Sequence, residues 1–153
     1  MTSRDYEKLG FAPDFTPDLT PKEMLALGIF GGAYFDGAST AEYPADWFTS
    51  AVISDHGKDP KLNYFGIDAS QSLEEWIRKG WIGESDPLGW FEWYCRYYFG
   101  RRIPVEDMRQ IKRHRQMVRH VAQIKYGCRP GDVTCRPKQR QALLHWAYDS
   151  RRM

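Results

Sequence analysis

The 153-residue sequence predicts a mainly α-helical fold, a single compact domain with long ordered loops. Three observations support this prediction. Capping residues and prolines recur at positions typical of helix starts. Apolar residues between these positions follow helical spacing. No run alternates apolar and polar residues with enough β-branched residues to predict a strand. We expect residues 1–19 to form an irregular N-terminal segment, because proline and aspartate cluster there, and residues 20–153 to form the helical domain.

The first predicted helix begins at a capping box. Thr20 and Glu23 have the required spacing, Pro21 occupies the first helical position, and the helix should run through Leu27. Three glycines follow, which we expect either to weaken the helix or to let another backbone approach closely: Gly28, Gly31 and Gly32.

Two further helices are predicted before residue 101. Ser72 and Glu75 form a second capping box, and Gly80 is the expected end of that helix. Asp86 with the proline after it should begin the next helix, which Gly100 ends. Four aromatic residues of this second helix share one face: Trp90, Trp93, Tyr94 and Tyr97.

The longest predicted helix runs from Pro104 to about Ile124, with acidic residues in its first turn. Its apolar stripe consists of Met108, Ile111, Val118 and Ala122, flanked by Val121. Arg115 falls inside the stripe, so we expect it either to snorkel to solvent or to pair with a buried carboxylate. The last helix is predicted to begin at Pro137 and to extend to about Asp149.

Composition excludes several classes of protein. With 15% aromatic and 27% charged residues, the chain is not disordered throughout. The longest nearly apolar run, residues 24–35, is too short to span a bilayer, and the N-terminus lacks the apolar region of a secretory signal. Three cysteines are too few, and odd in number, for a disulfide scaffold. We therefore expect a cytoplasmic protein with no membrane partner.

Charge is unevenly distributed. Residues 1–90 carry 7 Lys and Arg against 15 Asp and Glu, a net charge of −8, whereas residues 91–153 carry 15 against 5, a net charge of +10. This asymmetry has two interpretations. The acidic half packs against the basic half within one domain, or the basic half binds an acidic partner such as nucleic acid.

The leading hypothesis from this pattern is a helical protein that binds DNA or RNA. Arginine is suited to phosphate recognition, and helical spacing directs several cations of the long helix to one side. The proposed phosphate-binding residues, called here the arginine face, are Arg101, Arg102, Arg109, Lys112, Arg113, Arg119 and His120. Tyr94 and Tyr97 are candidates for stacking on unpaired bases.

The alternative is a small enzyme or ligand-binding protein with an aromatic and arginine pocket for an anionic small molecule. The residues expected to build that pocket are Trp90, Trp93, Tyr94, Tyr97, Glu92, Cys95 and Arg96. Glu92 and Cys95 are the only catalytic candidates in this set, and such a density of aromatic residues is more typical of a core than of a site. Whether the protein is an enzyme, and its oligomeric state, stay open.

The remaining cysteines and histidines predict no metal or cofactor. Cys128 and Cys135 are separated by six residues rather than the two to four of a zinc finger, so packed free thiols are expected. His56 and His145 each stand in a setting typical of a hydrogen-bonded structural histidine. No phosphate-cradling glycine loop or nucleophile elbow is present.

Three stretches together resemble a family of small uncharacterised proteins of bacteria, fungi and algae. They are residues 62–70, residues 89–102 with the sequence GWFEWYCRYYFGRR, and residues 135–149. The resemblance covers most of the chain from about Leu25 and implies a complete single-domain protein. It implies no activity, cofactor or catalytic residue.

Overall fold

The computed structural model describes residues 3–153, with side chains from Asp5 onward, and confirms the mainly α-helical prediction. Within residues 3–153 there is no β-strand, and a lone bridge joins Gly83 to Asp86. The α-helices are α1 (Ser3–Lys8), α2 (Pro21–Leu27), α3 (Leu73–Arg78), α4 (Trp90–Tyr98), α5 (Pro104–Gln116), α6 (Val118–Gly127) and α7 (Pro137–Leu144). Short 3-10 helices occupy Phe30–Gly32, Ala45–Trp47, Pro60–Leu62 and Ser150–Arg152. In this described part, no helix combines the length and apolar character needed to cross a membrane.

Helix α4 is the centre of the core, and the N-terminal segment packs directly against it. The Phe15 ring centroid lies 5.6 Å from that of Tyr94 and 5.5 Å from that of Tyr97. The Tyr94 hydroxyl donates to the Leu19 carbonyl at 2.6 Å, which ties the end of the segment to α4. The prediction of an irregular segment over residues 1–19 is therefore wrong in part. The segment contains α1, and its buried aromatic residues pack against the core. Its prolines and aspartates alone do not indicate this packing.

Three predicted helix bounds are corrected, two of them at tertiary hydrogen bonds. α4 begins at Trp90 rather than Asp86, because the Asp86 carboxylate accepts from Arg96 and Arg101 instead of capping a helix. The predicted helix from residue 104 to residue 124 is two helices. The Tyr148 hydroxyl donates to the His114 carbonyl at 2.6 Å, where a continuing helix would place the next backbone N–H. α7 ends at residue 144 rather than near residue 149.

The buried face of α5 is polar, which contradicts the predicted apolar stripe. Met108 and Val118 are 74% and 53% exposed, and of the predicted stripe in α5 only Ile111 is buried. The buried residues of α5 are Asp107, Gln110, Ile111 and His114. Asp107 is required there because the Trp93 indole N–H of α4 donates to its carboxylate at 2.9 Å, whereas the Trp90 indole donates to the backbone carbonyl of Gln110 at 3.1 Å.

Arg115, placed by the sequence inside that stripe, is exposed. Its partner is the exposed carboxylate of Asp14 at 3.2 Å, so the expected pairing with a buried carboxylate is wrong. A pair this open to water contributes little to stability.

Gly28 confirms the expectation that the glycines after α2 permit a close backbone approach. Its φ is +100°, and a Cβ at this position would overlap the Leu62 carbonyl oxygen. The Tyr64 N–H also donates to the Gly28 carbonyl at 3.0 Å. This contact holds the long loop of residues 54–70 against the end of α2.

Replacing Gly28 with alanine is expected to lower the free energy of unfolding by about 3 kcal/mol or more, because strain at a positive φ adds to a backbone clash. The matched control is Gly37→Ala, where φ is +74° and a Cβ would meet open space. That control should lose only about 1 kcal/mol. Urea denaturation followed by circular dichroism measures both, and equal losses would contradict the close-approach explanation.

Candidate functional site

The predicted arginine face does not form one open surface. Arg101 binds the buried Asp86 carboxylate at 2.6 Å, and Arg109 binds Glu106 at 2.7 Å. Arg102 lies 3.6 Å from the Tyr97 ring centroid and donates to backbone carbonyls, including that of Gly10 at 2.9 Å.

The other members of the arginine face differ in exposure. His120 is partly buried, with its Nδ1 2.8 Å from the Gln139 side-chain nitrogen. Lys112 and Arg119 are exposed, and neither pairs with a carboxylate within residues 5–153. Arg113, the remaining member, faces a cavity.

The aromatic residues proposed for stacking belong to the core. Trp93, Tyr94 and Tyr97 are at most 2% exposed, and neighbouring rings cover their faces. No nucleic acid base reaches them in this structure. Trp90 is the one member of the predicted pocket set that lines the cavity beside Arg113.

The polar residues of the predicted pocket are also buried or bound to other residues, outside the cavity beside Arg113. Arg96 binds Glu42 at 2.6 Å and Asp86 at 3.0 Å. Glu92 is buried, which raises its pKa, and it accepts from the Leu88 N–H at 3.2 Å. Burial raises the pKa of the Cys95 thiol well above its ordinary value, so it is not a thiolate nucleophile at neutral pH.

An aromatic pocket of about 250 Å³ lies between α4, α5, α7 and the segment of residues 69–82. Its walls include indole and phenyl rings from four parts of the chain: Phe30, Trp76, Trp81, Trp90 and Trp146. The Trp90 and Trp146 centroids are 4.9 Å apart, and Trp76 meets Phe30 edge-on at 5.8 Å. Concave aromatic cavities with few polar groups are the usual form of a small-molecule site.

Arg113 is the charged residue of this pocket. Its Nη1 donates to the Trp81 carbonyl at 2.9 Å and to Gln110 Oε1 at 3.0 Å, and its guanidinium lies 5.2 Å from the Trp146 ring centroid. Nε and Nη2 make no hydrogen bond within residues 5–153, and no carboxylate there pairs with the side chain. Burial, with help from neighbouring Arg109, lowers its pKa to about 10, so the group stays charged at neutral pH.

His145 supplies a neutral hydrogen-bond donor to the same pocket. Its Nε2 accepts from the Phe30 N–H at 3.2 Å and lies 2.9 Å from the Gln141 side-chain nitrogen. Burial lowers its pKa to about 3, so the ring is neutral and the proton is assigned to Nδ1. Nδ1–H has no acceptor within residues 5–153, and His145 lines the pocket, so this N–H is the donor that the ring has left for a ligand.

Hydrogen bonds from the Gln141 side chain and the Phe30 backbone hold His145 in this tautomer. Gln141 is fully buried, and its amide is saturated: it accepts from the Phe65 N–H at 2.9 Å and donates to the Gly28 carbonyl at 3.1 Å. Phe30 adopts φ +51°, a conformation that bulky residues rarely take, and its N–H thereby meets His145. Strained backbone of this kind concentrates at functional sites.

Sequence reasoning did not identify this pocket. The sequence predicts a phosphate contact for Arg113 and a structural role for His145, because the residues that surround them in the fold are distant in sequence. One signal was present: Gln141 and His145 are four residues apart on a helix, the spacing at which one side chain can orient another.

Cys128 and Cys135 form a disulfide, which corrects the expectation of free thiols. Their Cα atoms are 5.8 Å apart, within the range that a disulfide spans, because the intervening loop turns back between α6 and α7. Neither sulfur is therefore free to ligate zinc. In the described part of the chain no group of three or more potential ligands is arranged around a metal position. Cytoplasmic location stays a prediction, and a disulfide is more typical of oxidising compartments.

Comparisons with protein-family models, with curated proteins and with solved structures found no match for the chain.

Proposed function

We propose that the protein binds a small anionic molecule in the aromatic pocket, with Arg113 as the group that holds the anion. The observation that carries this proposal is the unpaired edge of the Arg113 guanidinium, which faces a cavity with aromatic walls. Glu106 acts on Arg113 only at longer range and is itself bound to Arg109, so in the described chain no carboxylate contacts this partly desolvated cation, and a bound anion would supply that contact. Aromatic rings around the cation favour a ligand with apolar faces.

Nucleic-acid binding has less support from the geometry. Of the seven predicted phosphate contacts, Lys112 and Arg119 are exposed with neither a carboxylate nor a backbone carbonyl as partner in the described chain, whereas the exposed Arg102 donates to backbone carbonyls, including those of Tyr97 and Gly10. Two such residues give a weak dependence of affinity on salt, because the dependence scales with the number of phosphates neutralised. The proposed stacking residues Tyr94 and Tyr97 are enclosed by other rings.

The proposal is tested by replacing Arg113 with methionine, which keeps much of the side-chain volume and removes the charge. Binding of organic carboxylates, sulfonates and phosphate monoesters is followed by quenching of tryptophan fluorescence, since four tryptophans line the pocket. Losing a charge-assisted pair of hydrogen bonds should lower the affinity of each anion that binds by about tenfold or more. Near-ultraviolet circular dichroism checks that the variant keeps its aromatic packing.

Arg119→Met is the matched control, because it removes an exposed cation of the same type. It should leave small-anion binding unchanged. A fluorescein-labelled single-stranded DNA 20-mer tests the rival function. If the protein ignores every small anion but binds the DNA with an affinity that falls with salt and weakens in Arg119→Met, the nucleic-acid hypothesis replaces the pocket proposal.

A further inference from the structure

We infer that the ligand of the aromatic pocket is a planar aromatic monocarboxylate of one or two rings, with its carboxylate on Arg113 and its ring against the indole walls. This inference rests on the proposed function and narrows it to one ligand class. Three features of the pocket support it: the form of the free guanidinium edge, the nature and size of the walls, and the neutral donor of His145.

The charge of the pocket matches one carboxylate. Arg113 is the one Lys or Arg among the pocket-lining residues, and no acidic residue lines the cavity. Because Nη1 is occupied by Trp81 and Gln110, the free donors are Nε and Nη2, whose N–H bonds are parallel. Parallel donors bind the two oxygens of a carboxylate in bidentate geometry. A phosphate monoester, with close to two negative charges, would keep excess charge in a largely apolar cavity.

The walls favour a flat aromatic ring rather than an aliphatic chain. Trp90 and Trp146 stand side by side, and Phe30 and Trp76 meet edge-on, so faces and edges of rings both border the space. Offset-stacked and edge-on contacts stabilise an aromatic guest beyond the burial of its area. The volume of about 250 Å³ is below the roughly 300–1,000 Å³ of ordinary ligand pockets, which excludes a nucleotide and limits the occupant to one or two rings.

His145 provides a second polar contact to the same ligand. Its Nε2 is occupied by the Phe30 N–H, so Nδ1–H is the donor that the ring has left for a ligand. A neutral N–H donor hydrogen-bonds a ligand oxygen without adding charge to the site. The pocket thus combines one positive charge with one neutral donor, a set that fits a monoanion.

The inference is tested with four single-ring probes that separate charge, planarity and anion type. Benzoate is the reference, cyclohexanecarboxylate lacks the flat ring, benzyl alcohol lacks the charge, and phenyl phosphate replaces the carboxylate. Calorimetry should show benzoate binding at least about tenfold more tightly than each of the other three. 2-Naphthoate should bind at least as tightly as benzoate.

Two variants locate the contact at Arg113. Arg113→Met should reduce the ratio of benzoate to benzyl alcohol affinity to about one. Arg113→Lys keeps the charge without the parallel donors, so benzoate affinity should fall by about tenfold. Arg113→Lys also serves as the folded substitute if the methionine variant loses its structure, and Lys112→Met is the control with an exposed cation removed.

The outcomes separate this inference from the proposed function. If phenyl phosphate or cyclohexanecarboxylate binds as tightly as benzoate and depends on Arg113, the aromatic carboxylate class is wrong and the anion pocket stands. If none of the anionic probes binds and the Arg113 variants change nothing, both are wrong.

Discussion

Lowering the pH from 7.5 to 5 is expected to remove about 4 kcal/mol from the free energy of unfolding, because two buried histidines must stay neutral in the folded protein. Burial lowers the pKa of His114 to about 4 and that of His145 to about 3, against 6.5 in the unfolded chain. Between these values the unfolded chain binds more protons. The full stability is therefore present above pH 6.5 and is lost progressively as the pH falls.

The packing around each ring explains why it resists protonation. His114 is stacked between Trp90 and Tyr148, with centroids 5.6 and 4.3 Å away, and its Nε2 is buried without a partner. His145 uses Nε2 to accept the Phe30 N–H, which a proton on that nitrogen would displace. Glu92 acts in the opposite direction, since burial raises its pKa and the folded state then favours the protonated acid.

Urea denaturation at intervals between pH 7.5 and 5 measures the effect. His114→Phe keeps a stacked ring and should remove about half of the dependence on pH. His56 is exposed, and its bonds to Asp55 and Asp59 raise its pKa, so it opposes the loss at low pH and His56→Ala should steepen the dependence on pH rather than reduce it. A free energy of unfolding that stays constant over this range would contradict the prediction, because it would mean that folding does not lower the pKa of His114 or His145.

Replacing Asp86 with alanine is expected to lower the free energy of unfolding by about 3–5 kcal/mol, the cost of removing one partner from a buried ionic cluster. The carboxylate is fully buried and accepts from Arg96 Nη1 at 3.0 Å and from both terminal nitrogens of Arg101, at 2.9 and 2.6 Å. Its loss leaves two partly buried guanidinium groups without a shared acceptor.

Asp46→Ala is the control for this substitution. Asp46 also pairs with a cation, Lys22 at 3.0 Å, but both side chains are more than half exposed. Its replacement should cost at most about 1 kcal/mol. Similar losses in the two variants would mean that the Asp86 cluster contributes no more than a surface ion pair.

The Asp86 cluster also matters for the pocket. Asp86 is the end of the segment that carries Trp81 and Ile82 to the cavity, and the Gly83–Asp86 bridge closes that segment. Asp86→Ala should therefore loosen one wall as well as destabilise the fold. Tryptophan emission of the variant in water, shifted to longer wavelength, would report that opening.

Local signals predicted the helices well where neighbouring residues decide the structure. The Thr20–Glu23 capping box forms in both directions, and Ser72 caps α3 as its spacing indicates. Prolines open α2, α5 and α7 at the first helical turn. Gly28 permits the close backbone approach that its position after α2 suggested.

The same local rules failed where a distant side chain supplied or removed a hydrogen bond. The Tyr148 hydroxyl ended α5 by taking the His114 carbonyl, and the arginines of the α4 region took Asp86 away from a capping role. On α5, Asp107 is buried because the Trp93 indole N–H of α4 donates to its carboxylate. Helical periodicity shows which residues share a face of a helix, but it does not show which face the rest of the fold buries.

Fold class, aromatic density and the charge asymmetry of the halves follow from composition and spacing, because each is a property of neighbouring residues or of simple sums over the chain. The environment of each cationic side chain does not follow from composition and spacing. Arg101 neutralises a buried carboxylate, Arg119 stays in water, and Arg113 lines a cavity without a carboxylate partner in the described chain. Arg101 meets a carboxylate 15 positions away and Arg113 a carbonyl 32 positions away, and only the tertiary packing around α4 brings these groups together.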